Sequence, residues 1–228
     1  AFWRAETKWR AEHPNEVERA RHFLAQVLAG WSTWNSELKV RAIGFLAGHP
    51  GRKELVREQD GKAIVEILSG LAKLDQYDLQ MLQVAASAPG DSVWRDCVAL
   101  AVSAEGGGRA AVTQVFRVLG PDAVLSALKD ERPLVRRAAL DEVVSLRDMR
   151  AAPLLVDLLG DEDFDVRRAA IFTCGHLKIS AASRPLVEMI AVPETDPLIR
   201  RACMRAVGKV GGQLAFPVLE RAMTSPSK

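Results

Sequence analysis

Cysteine is scarce in this chain: Cys97, Cys174 and Cys203 are the only three. They lie far apart, are odd in number and show no CxxC or CxxH spacing. That excludes a disulfide-stapled scaffold and favours a reducing compartment. Histidine occurs four times, at His13, His22, His49 and His176, with no HExxH and no His-Glu dipeptide. A metal centre is therefore not expected. Long apolar runs are missing as well. The longest stretch free of Asp, Glu, Lys and Arg, residues 22–36, contains Gln, Ser, Thr and Asn, so no membrane-spanning helix is expected. No GxSxG, Walker-type loop or GxGxxG occurs. Gly106-Gly-Gly108 before Arg109 lacks both the preceding strand and the Lys-Ser/Thr of a phosphate loop. Charge imbalance is absent too: 31 basic and 29 acidic residues leave a net charge of +2. That is no electrostatic footprint for nucleic acid. The chain opens on Ala1 rather than Met and shows no signal peptide. A cytoplasmic location is expected; a membrane tether is the alternative if an anchor ahead of Ala1 has been removed.

What is present is an ordinary globular composition, 48% apolar and 26% charged over 228 residues. It suits one large domain or two small ones. The C-terminal hundred residues repeat themselves. Asp130-Glu-Arg-Pro-Leu-Val-Arg-Arg-Ala-Ala-Leu140 is followed by Asp161-Glu-Asp-Phe-Asp-Val-Arg-Arg-Ala-Ala-Ile171 and by Asp196-Pro-Leu-Ile-Arg-Arg-Ala-Cys-Met204. Arg-Arg-Ala begins at 136, 167 and 200, and prolines recur at 153, 185 and 217. Two independent landmarks at nearly one period mark a repeat architecture.

Each period reads as two helices. Val166, Ala169, Ala170, Thr173, Cys174 and Leu177 form a helical stripe, and Leu154, Leu155, Leu158 and Leu159 form another after Pro153. Proline suits a first helical turn, and the Asp-rich link supplies acceptors for the free N–H groups of the second helix. Gly175 and Gly208 stand at equivalent places, where a small residue lets neighbouring helices approach closely. Cys174 and Cys203 fall on the apolar stripes and read, with Cys97, as core residues rather than nucleophiles.

Pro153, Asp161, Val166 and Arg167 together resemble the HEAT repeat, in the short bacterial form found in phycobilisome-lyase-like proteins. The resemblance is strongest over residues 121–224. In the preceding unit Asp122 stands where the proline belongs, and in the following one two extra residues surround Pro193-Glu-Thr-Asp196. A last first-helix is expected over 213–223. The resemblance implies an all-α, right-handed α-solenoid of about six stacked helical hairpins. Residues 1–120 would be degenerate repeats with a Trp-rich N-terminal cap (Trp3, Trp9, Trp31, Trp34), continuous with regular repeats over 121–228. Helices are expected near 15–29, 36–48, 61–74, 76–88, 91–104 and 109–119, with a short extra one within 52–59. Val40-Arg41-Ala42 is a weak echo of the repeat motif.

The candidate site follows from the second helices. Arg136, Arg167 and Arg200 match the arginine of the repeat pattern and are expected to form a structural ladder with Asp residues of neighbouring turns. One residue on, Arg137, Arg168 and Arg201 are rotated about 100° away. Adding four and eight residues gives Asp141, Phe172 and Arg205, then Ser145, His176 and Lys209. These positions vary in chemistry while their apolar neighbours do not, as a surface freed from packing would. The resemblance places second helices on a concave face.

The residues expected to contact a partner are Arg137, Asp141, Arg168, Phe172, His176, Arg201, Arg205 and Lys209. The expected partner is another protein, offering an acidic or mixed-charge segment. The expected function is a non-catalytic interaction scaffold, with no catalytic residue, metal or cofactor. Two alternatives stand beside it: a nucleic-acid-binding HEAT-like protein, with or without DNA-glycosylase-like repair chemistry, and a bilin lyase subunit.

Overall fold

The computed structural model describes residues 16–48, 55–104, 108–193 and 195–211. Among these residues it forms twelve α-helices, four short 3-10 turns and no strand, an all-α fold. Two compact units meet in sequence between Leu119 and Gly120.

In the first unit the helices are α1 (Glu16–Gly30), α2 (Ser36–Gly48), α3 (Glu58–Ser69), α4 (Gln76–Ala85), α5 (Asp91–Ser103) and α6 (Gly108–Leu119). α2, α4 and α5 start where expected. α3 instead begins three residues earlier than expected, because Asp60 accepts the Arg57 backbone N–H at 3.0 Å and satisfies a free donor at the start; it ends early, before Gly70. Phe23, Leu24, Leu46, Leu68 and Leu82 are buried, and the Phe23 ring meets Phe45 edge-on at 4.8 Å.

A buried charge cluster ties α2 to α4. Lys39 donates to Asp78 at 2.7 Å and to Asp75 at 3.3 Å, and it sits 5.0 Å from the Trp31 ring. The Trp31 indole N–H donates to the same Asp78 oxygen at 2.8 Å. A buried charge is tolerated only when paired and hydrogen-bonded, and here both conditions are met. The Val40-Arg41 echo is corrected by this geometry. α2 starts at Ser36, so Lys39 occupies the fourth helical position, and Val40 and Arg41 face solvent.

The second unit alternates first helices α7 (Pro121–Ala127), α9 (Ala152–Asp157) and α11 (Ser183–Ala191) with second helices α8 (Pro133–Leu146), α10 (Phe164–Leu177) and α12 (Pro197–Val210). Pro121 opens α7, so the proline role that the motif assigns to position 122 is filled one residue earlier. Asp163 accepts from the Val166 N–H at 3.0 Å and Asp196 from the Leu198 N–H at 2.8 Å, the expected caps of α10 and α12. At α8 the capping position holds Arg132, which makes no side-chain cap.

Second helices pack side by side, α8 on α10 and α10 on α12. Val135, Ala139, Leu140, Val143, Val166, Ala170, Cys174, Ile199, Cys203 and Val207 form their buried faces. Gly175 lies against Ala206, whereas Gly208 has no neighbour within 4 Å of where its Cβ would be. The two glycines stand at the same place, the twelfth residue of their helices, but only Gly175 has a described helix against it. Each second helix leaves through a residue of positive φ: Arg147 at 53°, Lys178 at 55° and Gly211 at 73°.

Trp3, Trp9, His13, His49, residues 52–54 of the extra short helix, Gly106, Gly107 and the helix expected over 213–223 lie outside the described residues.

Candidate functional site

The second helices of the C-terminal unit bury Val135, Val166 and Ile199 at matching places, together with the small residues one turn on. A helix advances 100° per residue, so the positions two further along turn out of the core. Among the described residues this produces three outward rows, and the eight expected contact residues are all on them.

On α8, Arg137 donates to Asp141 at 2.5 Å, and both side chains are about one-third exposed (38% and 33%). On α10, Arg168 pairs with Asp165 at 3.0 Å and is exposed. One turn on, Phe172 is 56% exposed, a large value for a phenylalanine. His176 stacks on it, with ring centroids 5.8 Å apart and planes 24° from parallel. The Lys209 ammonium, from α12, lies 5.3 Å from the Phe172 centroid, so the two helices join at this aromatic. Arg201 and Arg205 are exposed on α12, and neither has an ion-pair partner among the described residues.

Two members of these rows escaped the sequence reading. Leu134 and Leu198 are 52% and 54% exposed, one turn before Arg137 and Arg201. The signal was the Pro-Leu pair that opens both helices, three residues ahead of the arginine.

The neighbouring arginines turn inward. Arg136 grips both oxygens of Asp161 at 2.8 Å and donates to the carbonyls of Asp130 (2.8 Å) and Glu131 (2.9 Å). The hydrogen bond to Asp161 is the main cause that raises its already high pKa. Arg167 repeats the carbonyl contacts, to Asp161 at 2.6 Å and Glu162 at 3.0 Å. Arg200 does so across the two extra residues, to Val192 and Pro193, both at 2.8 Å. An open groove beside Arg136, floored by Leu128, Leu154 and Leu158, therefore presents no free guanidinium.

The three cysteines are buried. Burial pushes the Cys174 thiol up to about 12 and the Cys203 thiol up to about 11, which suits core residues and not nucleophiles. Among the described residues no group of three or more His, Cys, Asp or Glu could hold a metal ion. No described helix is long and apolar enough to cross a membrane.

With two-helix units recurring at this spacing, the family comparison is decisive for the C-terminal unit. The HEAT-repeat model matches residues 121–195 and again 155–228. The C-terminal unit thus carries the HEAT-repeat match. Such repeats stack into an α-solenoid, generally mediate protein–protein interaction and generally act without catalysis. No curated protein matches the chain. Among solved structures, a crystal structure of an engineered protein from the Northeast Structural Genomics Consortium is similar at 17% identity, covering 86% of this chain and 96% of that one with a TM-score of 0.36.

Proposed function

We propose that the protein is a non-catalytic scaffold that docks a protein partner on the outward rows of α8, α10 and α12. The observation that carries this reading is Phe172, an aromatic ring left on the surface between His176 and Lys209 while the other faces of the same helices are packed. A partly desolvated aromatic ringed by polar and cationic side chains is the usual make-up of an interface anchor. Leu134 and Leu198 add apolar surface to the same rows. The interaction role general to HEAT repeats supports the reading.

The test is affinity capture from nuclease-treated lysate with wild type and with Arg168→Glu/Phe172→Ala/Arg205→Glu, after circular dichroism has shown equal helicity. A protein retained by wild type and lost by the variant is the expected result. Equal retention by both overturns the assignment of this face. Recovery that depends on omitting nuclease replaces a protein partner with nucleic acid.

A further inference from the structure

We infer that the α12 end of this face holds an acidic, extended peptide segment, its carboxylates on Arg201 and Arg205 and a neighbouring apolar side chain on Phe172. The inference rests on the docking reading above and gives that reading a direction and a ligand chemistry.

The argument is the unequal charge of three equivalent rows. On α8 the row arginine is already spent on Asp141, and on α10 on Asp165. On α12 the row holds Leu198, Arg201, Arg205 and Lys209 with no acidic member. Arg201 and Arg205 make no ion pair with any described residue. Among the described residues of the three rows, this one alone offers guanidinium groups that need not first break an internal pair. Guanidinium groups also favour carboxylates, which they meet with two parallel hydrogen bonds.

Spacing narrows the ligand. Four residues of helix separate Arg201 from Arg205, about 6 Å along the axis. Alternate side chains of an extended chain recur on one face about every 6.6 Å. Carboxylates at i and i+2 of an extended segment therefore meet both arginines, and one at i+4 comes to Lys209. Lys209 already touches the Phe172 ring, so the anion-holding row ends beside the exposed aromatic. An apolar residue flanking the acidic pattern then covers Phe172, and its burial from water adds to the charge contacts.

The probe is a fluorescein-labelled synthetic peptide with one Phe followed by three Asp at alternate positions, read by anisotropy against the full chain at low salt. Arg201→Glu/Arg205→Glu is expected to weaken binding by about 100-fold or more, and Phe172→Ala by roughly tenfold, the loss typical of a truncated anchor. Arg184→Ala, on first helix α11 and outside the rows, is expected to leave affinity unchanged. Circular dichroism must show all variants folded, and the same peptide with Asn for Asp must bind more weakly. Equal affinity of wild type and the double variant overturns the inference, as does equal affinity for the Asp and Asn peptides. Tighter binding of a single-stranded oligonucleotide of equal charge overturns it in favour of phosphate. If the peptide fails while a captured protein is still lost by the triple variant, the acidic-segment inference falls and the docking face stands. If capture is also insensitive, both fall.

Discussion

A methyl group added to Gly175 would sit 2.8 Å from the Ala206 Cα and 3.0 Å from its Cβ. Gly175 is on α10 and Ala206 on α12, so the contact sets how closely two successive second helices approach. The obstructing atom is backbone, which no rotamer change can move aside. Gly175→Ala is expected to destabilise the protein by roughly 1–3 kcal/mol through overpacking, despite the better helix propensity of alanine. Gly208→Ala, with nothing within 4 Å among the described residues, is expected to be neutral or stabilising. Urea unfolding of both variants decides the matter, and equal effects would reject the close-approach role of Gly175.

The Arg136–Asp161 pair joins α8 to the turn that leads into α10. Its side chains are 8% and 5% exposed. Removing one member of a buried pair leaves the other charge uncompensated, at a cost of about 3–5 kcal/mol. Arg136→Ala should show that loss. Arg168→Ala, which breaks the exposed pair with Asp165, should cost no more than about 1 kcal/mol. Denaturant midpoints measured side by side provide the comparison, and similar losses for the two variants would sink the distinction.

Asp75 offers a pH test in the first unit. Burial opposes its charge, but the N–H groups of Asp78 and Tyr77 and the Lys39 ammonium outweigh that and hold its carboxyl below the ordinary value. A carboxyl depressed in the folded state contributes stability that is present above its unfolded pKa and lost as pH falls toward the folded one. Acidification from neutral to below about pH 4, the ordinary aspartate value, should therefore lower the melting temperature more for wild type than for Asp75→Asn. Asparagine keeps the helix cap. The difference is expected to be small, because the Asp75 side chain is 47% exposed. An identical acid response in both proteins would show that the carboxylate contributes nothing.

Most of the helices were legible because period and punctuation agree. The Arg-Arg-Ala triplets, the prolines and the apolar stripes all mark the same two-helix unit, and α8, α10 and α12 start where those marks place them. Positions on a helix follow from its start, so the eight row residues could be named together. Partners across helices could not. Nothing in sequence spacing says that Lys209 reaches Phe172, or that Lys39 on α2 meets Asp78 on α4, since both contacts depend on how separate helices stack. Lys39 was hidden further because a lysine stands where the repeat has arginine. Arg147 and Lys178 escaped notice for a related reason. They follow second helices in a left-handed conformation that usually advertises itself with glycine, and neither is one.

The guanidinium of Arg136 and the missing side chain of Gly175 fasten successive joints of the same array by opposite means. One joint is a charge clasp whose parts can be exchanged only as a pair. The next is a matter of clearance, where a single methyl is too much. The array therefore has two seams of different material. The segment carrying Arg201, Arg205 and Lys209 meets its preceding second helix across the clearance joint, so its distance from Phe172 is set there by shape rather than by charge.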